Sequence, residues 1–155
     1  MQGAAEEILC RGFLMTSLMK KVSVPMAIFV SSTAFVVPHL GTLMMADLPY
    51  AVIGVINLYL ISAIFSILML GKNSIWISCG LHSAWNFLLS GVFGLTLSGN
   101  EANGDVLLHF EVPQSSLING GVYGIEASLV TTVVLALALL LIESLHKNRR
   151  GKDGI

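Results

Sequence analysis

The chain reads as a series of apolar runs separated by short polar breaks. The runs cover residues 4–19, 22–39, 49–70, 75–95 and 125–145. A helix that crosses a bilayer needs about 20 mostly apolar residues, and the run 49–70 meets this with Asn57 as its only strongly polar member. The run 4–19 would be about 24 Å long as a helix, shorter than a bilayer core of about 30 Å. The pattern predicts an all-α, polytopic transmembrane bundle of about five spans.

A long polar connection, residues 96–124, separates the fourth run from the fifth and is rich in Gly, Asn and Ser. Within it, residues 105–112 could form a short strand or an interfacial segment. After the last run the chain becomes basic. We therefore predict two parts, a membrane-embedded domain over residues 1–146 and a basic tail over residues 147–155.

Composition excludes a water-soluble domain. Hydrophobic residues make up 55% of the chain and charged residues only 11%, with a mean hydropathy of +0.83. So few charges cannot cover the surface of a soluble protein. We expect an integral membrane protein whose main partner is the lipid bilayer, and we expect no nucleic-acid partner.

The charges are segregated along the chain. Seven of the eight Lys and Arg residues follow the first, third and fifth runs, which five spans would bring to one face of the membrane. Basic loops are typically cytoplasmic, so the C-terminus is predicted to be cytoplasmic. The opposite loops carry acidic residues instead. The basic residues are Lys20, Lys21, Lys72, Lys147, Arg149, Arg150 and Lys152, and the acidic ones are Asp47, Glu101, Asp105 and Glu111.

Three charged residues lie inside the first run, where each costs roughly 2.5–3.5 kcal/mol at the centre of a membrane helix. Glu7 and Arg11 are four residues apart, so they can form an ion pair on one helix face. Glu6 is rotated from Glu7 by about 100° and can point into the bundle. This predicts a structural Glu7 and a Glu6 that is free for chemistry. The alternative is a short helix that reaches the headgroups and leaves all three residues solvated.

Two histidines lie in later runs, each four residues from a second notable side chain. Phe35 and His39 share one helix face, as do His82 and Asn86. His39 follows Pro38 and could simply be interfacial, whereas His82 lies well inside its run. A polar pair within a membrane helix can serve in interhelical hydrogen bonding or in catalysis.

Together these residues offer one or two carboxylates, two imidazoles and a carboxamide. Such a set can activate a water and stabilise a developing oxyanion. Equally, Glu6, His39 and His82 could bind one metal ion such as Zn²⁺. No local pattern decides between these options, since neither H-E-x-x-H nor G-x-S-x-G occurs. Glu126, at the start of the last run, is predicted to cap that helix.

Three motifs in order resemble a known family. E-E-x-x-x-R at Glu6, Glu7 and Arg11, F-x-x-x-H at Phe35 and His39, and H-x-x-x-N at His82 and Asn86 look like those of the CPBP intramembrane proteases. These are related to type II CAAX prenyl endopeptidases and to the bacterial Abi proteins. A softer likeness extends over the Gly-rich stretch 120–126.

The resemblance implies roles for these residues. Glu6 and His39 would activate water, His82 and Asn86 would stabilise the oxyanion, and Arg11 would hold Glu7. It also implies a multi-pass protein of the bacterial cell membrane, in a family of which many members are labelled metalloproteases. Members of the family carry further helices before the first motif, so we expect this chain to lack N-terminal helices of the full fold.

The leading hypothesis is therefore an intramembrane endopeptidase that hydrolyses a peptide bond of a peptide or protein substrate. The main alternative is a non-catalytic immunity or peptide-binding protein, in which the same polar residues hold helices together. A small transporter or ion pathway is a third class, and it would show a polar stripe along one helix.

Overall fold

The computed structural model describes residues 2–101, 106–108, 110 and 116–152, with the side chains of residues 146–152 left undescribed. These residues form an all-α bundle, as predicted. The seven α-helical segments in chain order are α1 (Gln2–Glu7), α2 (Thr16–Leu18), α3 (Val24–Val36), α4 (Leu40–Leu43), α5 (Leu48–Lys72), α6 (Trp76–Asn86) and α7 (Leu129–Lys152).

Two segments are wound as π-helix rather than α-helix. The segment Ile8–Met15 joins α1 to α2 in one continuous rod, and the segment Phe87–Val92 extends α6. Each begins directly after a residue of one of the motifs, Glu7 in the first case and Asn86 in the second. π-helical turns are frequent at functional sites because they re-aim side chains within a helix.

Two helices in the described part of the chain are long and apolar enough to cross a membrane, Val24–Leu43 and Leu48–Lys72. The apolar part of α7, Leu129–Leu145, is shorter. The predicted number of five spans therefore stays a prediction.

Several predicted boundaries were wrong. The second apolar helix does not end at His39, because Pro38 fits into a 3₁₀ turn, Val37–His39, that leads on into α4. Such a tight turn accommodates proline better than an α-helical interior does. The fourth helical rod ends at Val92 rather than at residue 95.

The polar connection and the C-terminal region also differ from expectation. Of the predicted strand over residues 105–112, only 106–108 and 110 belong to the described residues, and these four are not in a strand. The last helix begins at Leu129 rather than at residue 125, and its backbone stays helical to Lys152. The predicted division at residue 146 stays a prediction, and residues 153–155 lie outside the described part.

Helix α5 lies at the centre of the bundle and contacts α3, α6 and α7. The first rod packs against both α3 and α6. This arrangement brings together the three helical rods that carry the sequence motifs. A small apolar core links them to the turns before α7, and it consists of Phe35, Val36, Leu43, Leu58, Tyr123 and Ala127.

The bundle is apolar outside and unusually polar inside. Large side chains on its outer surface are exposed, for example Phe13 at 69% and Leu137 at 61%. Its interior instead holds hydroxyl groups that bond between neighbouring helices or back to the backbone. A lipid solvent favours this distribution, because polar groups must then find partners within the protein. The buried serines of the helices are Ser31, Ser32, Ser62, Ser66 and Ser78.

The strongly polar member of the third run, Asn57, has a clear structural use. Its Nδ2 donates to the backbone carbonyls of Glu126 and Ser128 at 2.8 and 3.0 Å. Its Oδ1 accepts a hydrogen bond of 2.7 Å from the Thr132 hydroxyl. Asn57 therefore fastens α5 to the segment where α7 begins.

The turn before α7 requires glycine at position 124. Gly124 has φ of 103° and ψ of 177°, a conformation that is essentially restricted to glycine. A Cβ at this position would lie 2.3 Å from the backbone oxygen of Thr96. Gly124 therefore allows the turn to pack directly against the loop that follows α6.

We expect Gly124→Ala to lower the free energy of unfolding by at least about 1–3 kcal/mol, the usual cost of such a backbone conformation. The measurement is thermal unfolding of the purified protein in detergent. Gly41→Ala is the matched control, since a Cβ at position 41 of α4 meets no atom within 4 Å. Equal melting temperatures for the two variants would contradict the packing described for this turn.

Candidate active site

A cavity of about 420 Å³ lies between the helices and the loop that follows α6. Its volume is within the range of sites that bind small ligands. The four predicted catalytic side chains, Glu6, His39, His82 and Asn86, all line it, and so does Phe35. The fold therefore brings the three motifs together at one place.

The two adjacent glutamates of the first motif occupy different environments. Glu7 is fully buried, and its Oε1 accepts a hydrogen bond of 2.9 Å from Arg11 Nη1. The Glu6 side chain is 24% exposed and faces the cavity, where Gln2 Nε2 donates to it at 2.8 Å. This is the division that the helical spacing predicts, with a paired Glu7 and an accessible Glu6.

The buried guanidinium of Arg11 has partners on two other helices. Its Nη2 donates to the Ser62 hydroxyl of α5 at 2.6 Å, and this hydroxyl donates to Ser32 of α3 at 2.7 Å. Its guanidinium carbon lies 4.5 Å from the centre of the Phe35 ring, a cation–π distance. A buried ion pair is tolerated when such contacts surround it.

The buried carboxylate of Glu7 also orients His82. His82 Nδ1 lies 3.0 Å from Glu7 Oε1, and because an ionised carboxylate only accepts hydrogen bonds, Nδ1 is the donor. The other ring nitrogen, Nε2, lies 3.9 Å from Glu6 Oε2. Glu7 therefore fixes the ring so that Nε2 is directed towards the Glu6 carboxylate.

Close packing of the first rod on α6 makes this contact possible. A Cβ at Gly3 would lie only 2.9 Å from two atoms of the His82 ring. Gly3 lies about one turn before Glu6 and Glu7, so the absence of a side chain there allows the imidazole to approach both carboxylates.

The second histidine is oriented by its own helix. His39 Nδ1 lies 2.9 Å from the backbone carbonyl oxygen of Phe35, and a carbonyl can only accept, so Nδ1 carries the proton. In the neutral ring Nε2 is then an unprotonated acceptor. Because His39 lines the cavity, this lone pair is available to a water or another proton donor.

Sequence reasoning missed the role of Glu126. It was expected to cap the last helix, but α7 begins only at Leu129, and Ser128 provides the cap through its hydroxyl, which accepts from Thr131 N at 3.1 Å. Glu126 lines the cavity instead. Glu126 is far from the three motifs in the sequence, so no local pattern indicates that it lies at the cavity.

The preceding 3₁₀ turn, Gly121–Tyr123, carries Tyr123, which is almost completely buried. Burial raises the pKa of this tyrosine to about 12, because a phenolate in an apolar environment loses its hydration. Tyr123 is therefore a neutral member of the core at physiological pH.

A metal ion is the alternative use of the same polar side chains. Within the residues that the structure describes, no three His, Cys, Asp or Glu side chains are grouped as metal ligands. A catalytic zinc site normally has three such ligands. The predicted Zn²⁺ site of Glu6, His39 and His82 thus stays a prediction.

Comparison with protein families identifies the chain. The family model described as type II CAAX prenyl endopeptidase Rce1-like matches residues 1–88. The chain belongs to this family. The matched region contains all three motifs and ends two residues after Asn86. No curated protein and no solved structure matches the chain.

Membership gives the function at family level, that of a membrane-embedded endopeptidase that acts on peptide substrates. The apolar helices Val24–Leu43 and Leu48–Lys72 agree with a membrane protein.

We expect Arg11→Met to destabilise the protein by about 3–5 kcal/mol, because it leaves the Glu7 carboxylate buried without its charge partner. The double variant Glu7→Leu/Arg11→Met should be less destabilised than Arg11→Met, since it removes both charges. Unfolding in detergent measures both values. Lys72→Met, which removes an exposed positive charge, is the control and should change little. Equal stability of Arg11→Met and the control would contradict the buried pair.

Proposed function

We propose that this protein is an intramembrane endopeptidase that uses a water activated by Glu6 and His39 and an oxyanion site formed by His82 and Asn86. The observation that supports the proposal is that these four side chains, which come from three separate helical rods, line one cavity. The family match supports the same reaction class.

In the proposed reaction, the Glu6 carboxylate accepts a hydrogen bond from the attacking water. His39 is the second acceptor, because its Nδ1 proton is held by the Phe35 carbonyl and its Nε2 carries a lone pair. Proton transfer from water to a positioned base typically contributes 10²–10⁴-fold to the rate. The resulting hydroxide attacks the carbonyl carbon of the peptide bond, and the carbonyl oxygen becomes the oxyanion. When this tetrahedral intermediate collapses, the C–N bond breaks and the leaving amine takes the proton that was removed from the water.

The developing oxyanion is stabilised by donors on α6. Asn86 donates from its side-chain amide. His82 already uses Nδ1–H towards Glu7, so it donates from Nε2 as the protonated ring, in which both nitrogens are donors. Glu7 therefore supports the oxyanion site, because it accepts one of the two hydrogen bonds of this imidazolium.

The cavity also suits an apolar substrate segment. Besides the polar groups, its lining includes Ile61 and Phe65 of α5 and Leu135 of α7. Aliphatic and aromatic walls of this kind accept apolar side chains. We propose a peptide substrate with an apolar segment that occupies this cavity, and we use a CAAX peptide with a prenylated cysteine, the class that the family name states, as the probe below.

The proposal includes a multi-pass protein with a cytoplasmic C-terminus, which the distribution of Lys and Arg supports. We expect cysteines introduced as Asp47→Cys and Lys72→Cys to be labelled by a membrane-impermeant reagent from opposite sides of the membrane. The labelling is done on intact cells and on inverted vesicles, in a background in which Cys10 and Cys79 are replaced by serine. Labelling of both positions from the same side would exclude this topology.

We expect Glu6→Gln to reduce cleavage of a prenylated CAAX peptide by roughly 10²–10⁴-fold, because an amide cannot act as the base. The measurement is kcat/KM of the purified protein in detergent. Glu143→Gln is the matched control, since Glu143 is exposed on α7 and its replacement should leave cleavage unchanged.

A fully active Glu6→Gln variant would refute the proposed role of this carboxylate. If wild type cleaves no peptide of this class but binds it, the non-catalytic alternative is favoured. The same assay with a chelator, together with metal analysis of the purified protein, tests whether the reaction needs a metal ion. A loss of activity that Zn²⁺ restores would contradict activation of the water by Glu6 and His39 alone.

A further inference from the structure

One carboxylate on the cavity wall has no role in the proposed reaction. Glu126 lies in the 3₁₀ turn Ile125–Ala127, outside the residues that the family match covers. Its Oε1 accepts a hydrogen bond of 3.1 Å from Trp85 Nε1. Its Oε2 accepts from the backbone N–H and the hydroxyl of Ser98 at 2.7 and 2.8 Å. The carboxylate therefore joins α6 to the loop over residues 97–101, which we call the wall loop.

The wall loop contains a residue in an unusual conformation at this contact. Ser98 has φ of 50°, which residues other than glycine rarely adopt. Both of its donors bond to the same carboxylate oxygen. Strained residues of this kind persist where surrounding contacts hold them. The Glu126 carboxylate holds this turn together with the paired backbone hydrogen bonds between Leu97 and Asn100.

Glu126 itself is fixed from the opposite side. Its backbone carbonyl accepts a hydrogen bond of 2.8 Å from Asn57 Nδ2 of α5. The wall loop has a second attachment, to the preceding 3₁₀ turn Gly121–Tyr123, from Gly99 N to the carbonyl of Tyr123 at 2.9 Å. Glu126 is therefore an anchored group and not a solvated surface carboxylate.

The wall loop forms part of the cavity surface through Leu97, Ser98, Asn100 and Glu101. A substrate in the cavity would lie against this surface. The two catalytic histidines are oriented elsewhere, His82 by Glu7 and His39 by Phe35. Changes at Glu126 should consequently affect how the substrate is bound more than how it is hydrolysed.

We infer that Glu126 is a positioning residue that fastens the wall loop to α6 and so shapes the surface that receives the substrate. The inference rests on the proposed function, because it assumes that a peptide substrate binds in the cavity. The contact between Glu126, Trp85 and Ser98 can be tested without any cleavage assay.

The first experiment is steady-state kinetics of Glu126→Gln with the prenylated CAAX peptide. A glutamine keeps the size of the side chain but offers one acceptor oxygen where the carboxylate offers two. Because hydrogen bonds to charged groups are stronger than neutral ones, we expect KM to rise by roughly tenfold or more with kcat about unchanged. Glu143→Gln is the matched control, since it removes the same charge from an exposed position of α7 outside the cavity lining, and we expect its KM to stay near that of wild type.

The second experiment measures Trp85 directly. The chain has two tryptophans, and replacing the exposed one by Trp76→Phe leaves Trp85 as the only indole. In this background Glu126→Gln should shift the emission of Trp85, because the indole N–H loses its charged acceptor, whereas Glu143→Gln should not.

The inference is overturned if Glu126→Gln changes neither KM nor the emission of Trp85. It is also overturned if Glu126→Gln lowers kcat as much as kcat/KM, since Glu126 would then act in the reaction itself. If wild type proves inactive as a protease, the proposed function fails, and the emission of Trp85 still decides whether Glu126 holds α6.

Discussion

The buried contact between the Glu7 carboxylate and the Arg11 guanidinium is the interaction on which the rest of the bundle depends. Neither group can be hydrated inside an apolar bundle, so each must be surrounded by protein partners. Ser62 of α5 and the Phe35 ring of α3 contact the guanidinium, and His82 of α6 contacts the carboxylate. The contacts around this one ion pair therefore connect three helices to the first rod, while Glu7 Oε2 and Arg11 Nε have no hydrogen-bond partner among the described residues.

The contacts of this ion pair also hold side chains of the candidate active site, so the same residues serve stability and function. Glu7 neutralises Arg11 and at the same time orients His82. The Glu6 carboxylate next to it remains partly exposed, and it faces Nε2 of this same ring at 3.9 Å. Glu6 and Glu7 thus have different roles, one chemical and one structural, because successive residues of a helix point about 100° apart.

Local spacing was sufficient to predict part of this site. Hydrophobic runs predicted the helical bundle, and the four-residue spacing predicted the pairing of Glu7 with Arg11, since residues at this spacing meet on one helix face. The three motifs identified five of the residues that line the cavity. Each of these inferences depends on positions that are close together in the sequence or on the order of motifs that a known family shows.

Contacts between distant segments could not be predicted in this way. Glu7 and His82 are 75 positions apart, and Glu126 is 41 positions from Trp85. Nothing in the composition of the polar connection indicates that part of it becomes a wall of the cavity. The two π-helical segments were also missed, because hydrophobic periodicity does not distinguish them from α-helix over so few turns.

One aromatic side chain contacts all three motifs. The Phe35 ring lies 4.5 Å from the Arg11 guanidinium, 5.1 Å from the His39 ring and 5.7 Å from the His82 ring. Its volume and shape are therefore constrained by three neighbours at once. A substitution at position 35 would therefore have to suit a guanidinium and two imidazole rings at the same time, so few other side chains fit there.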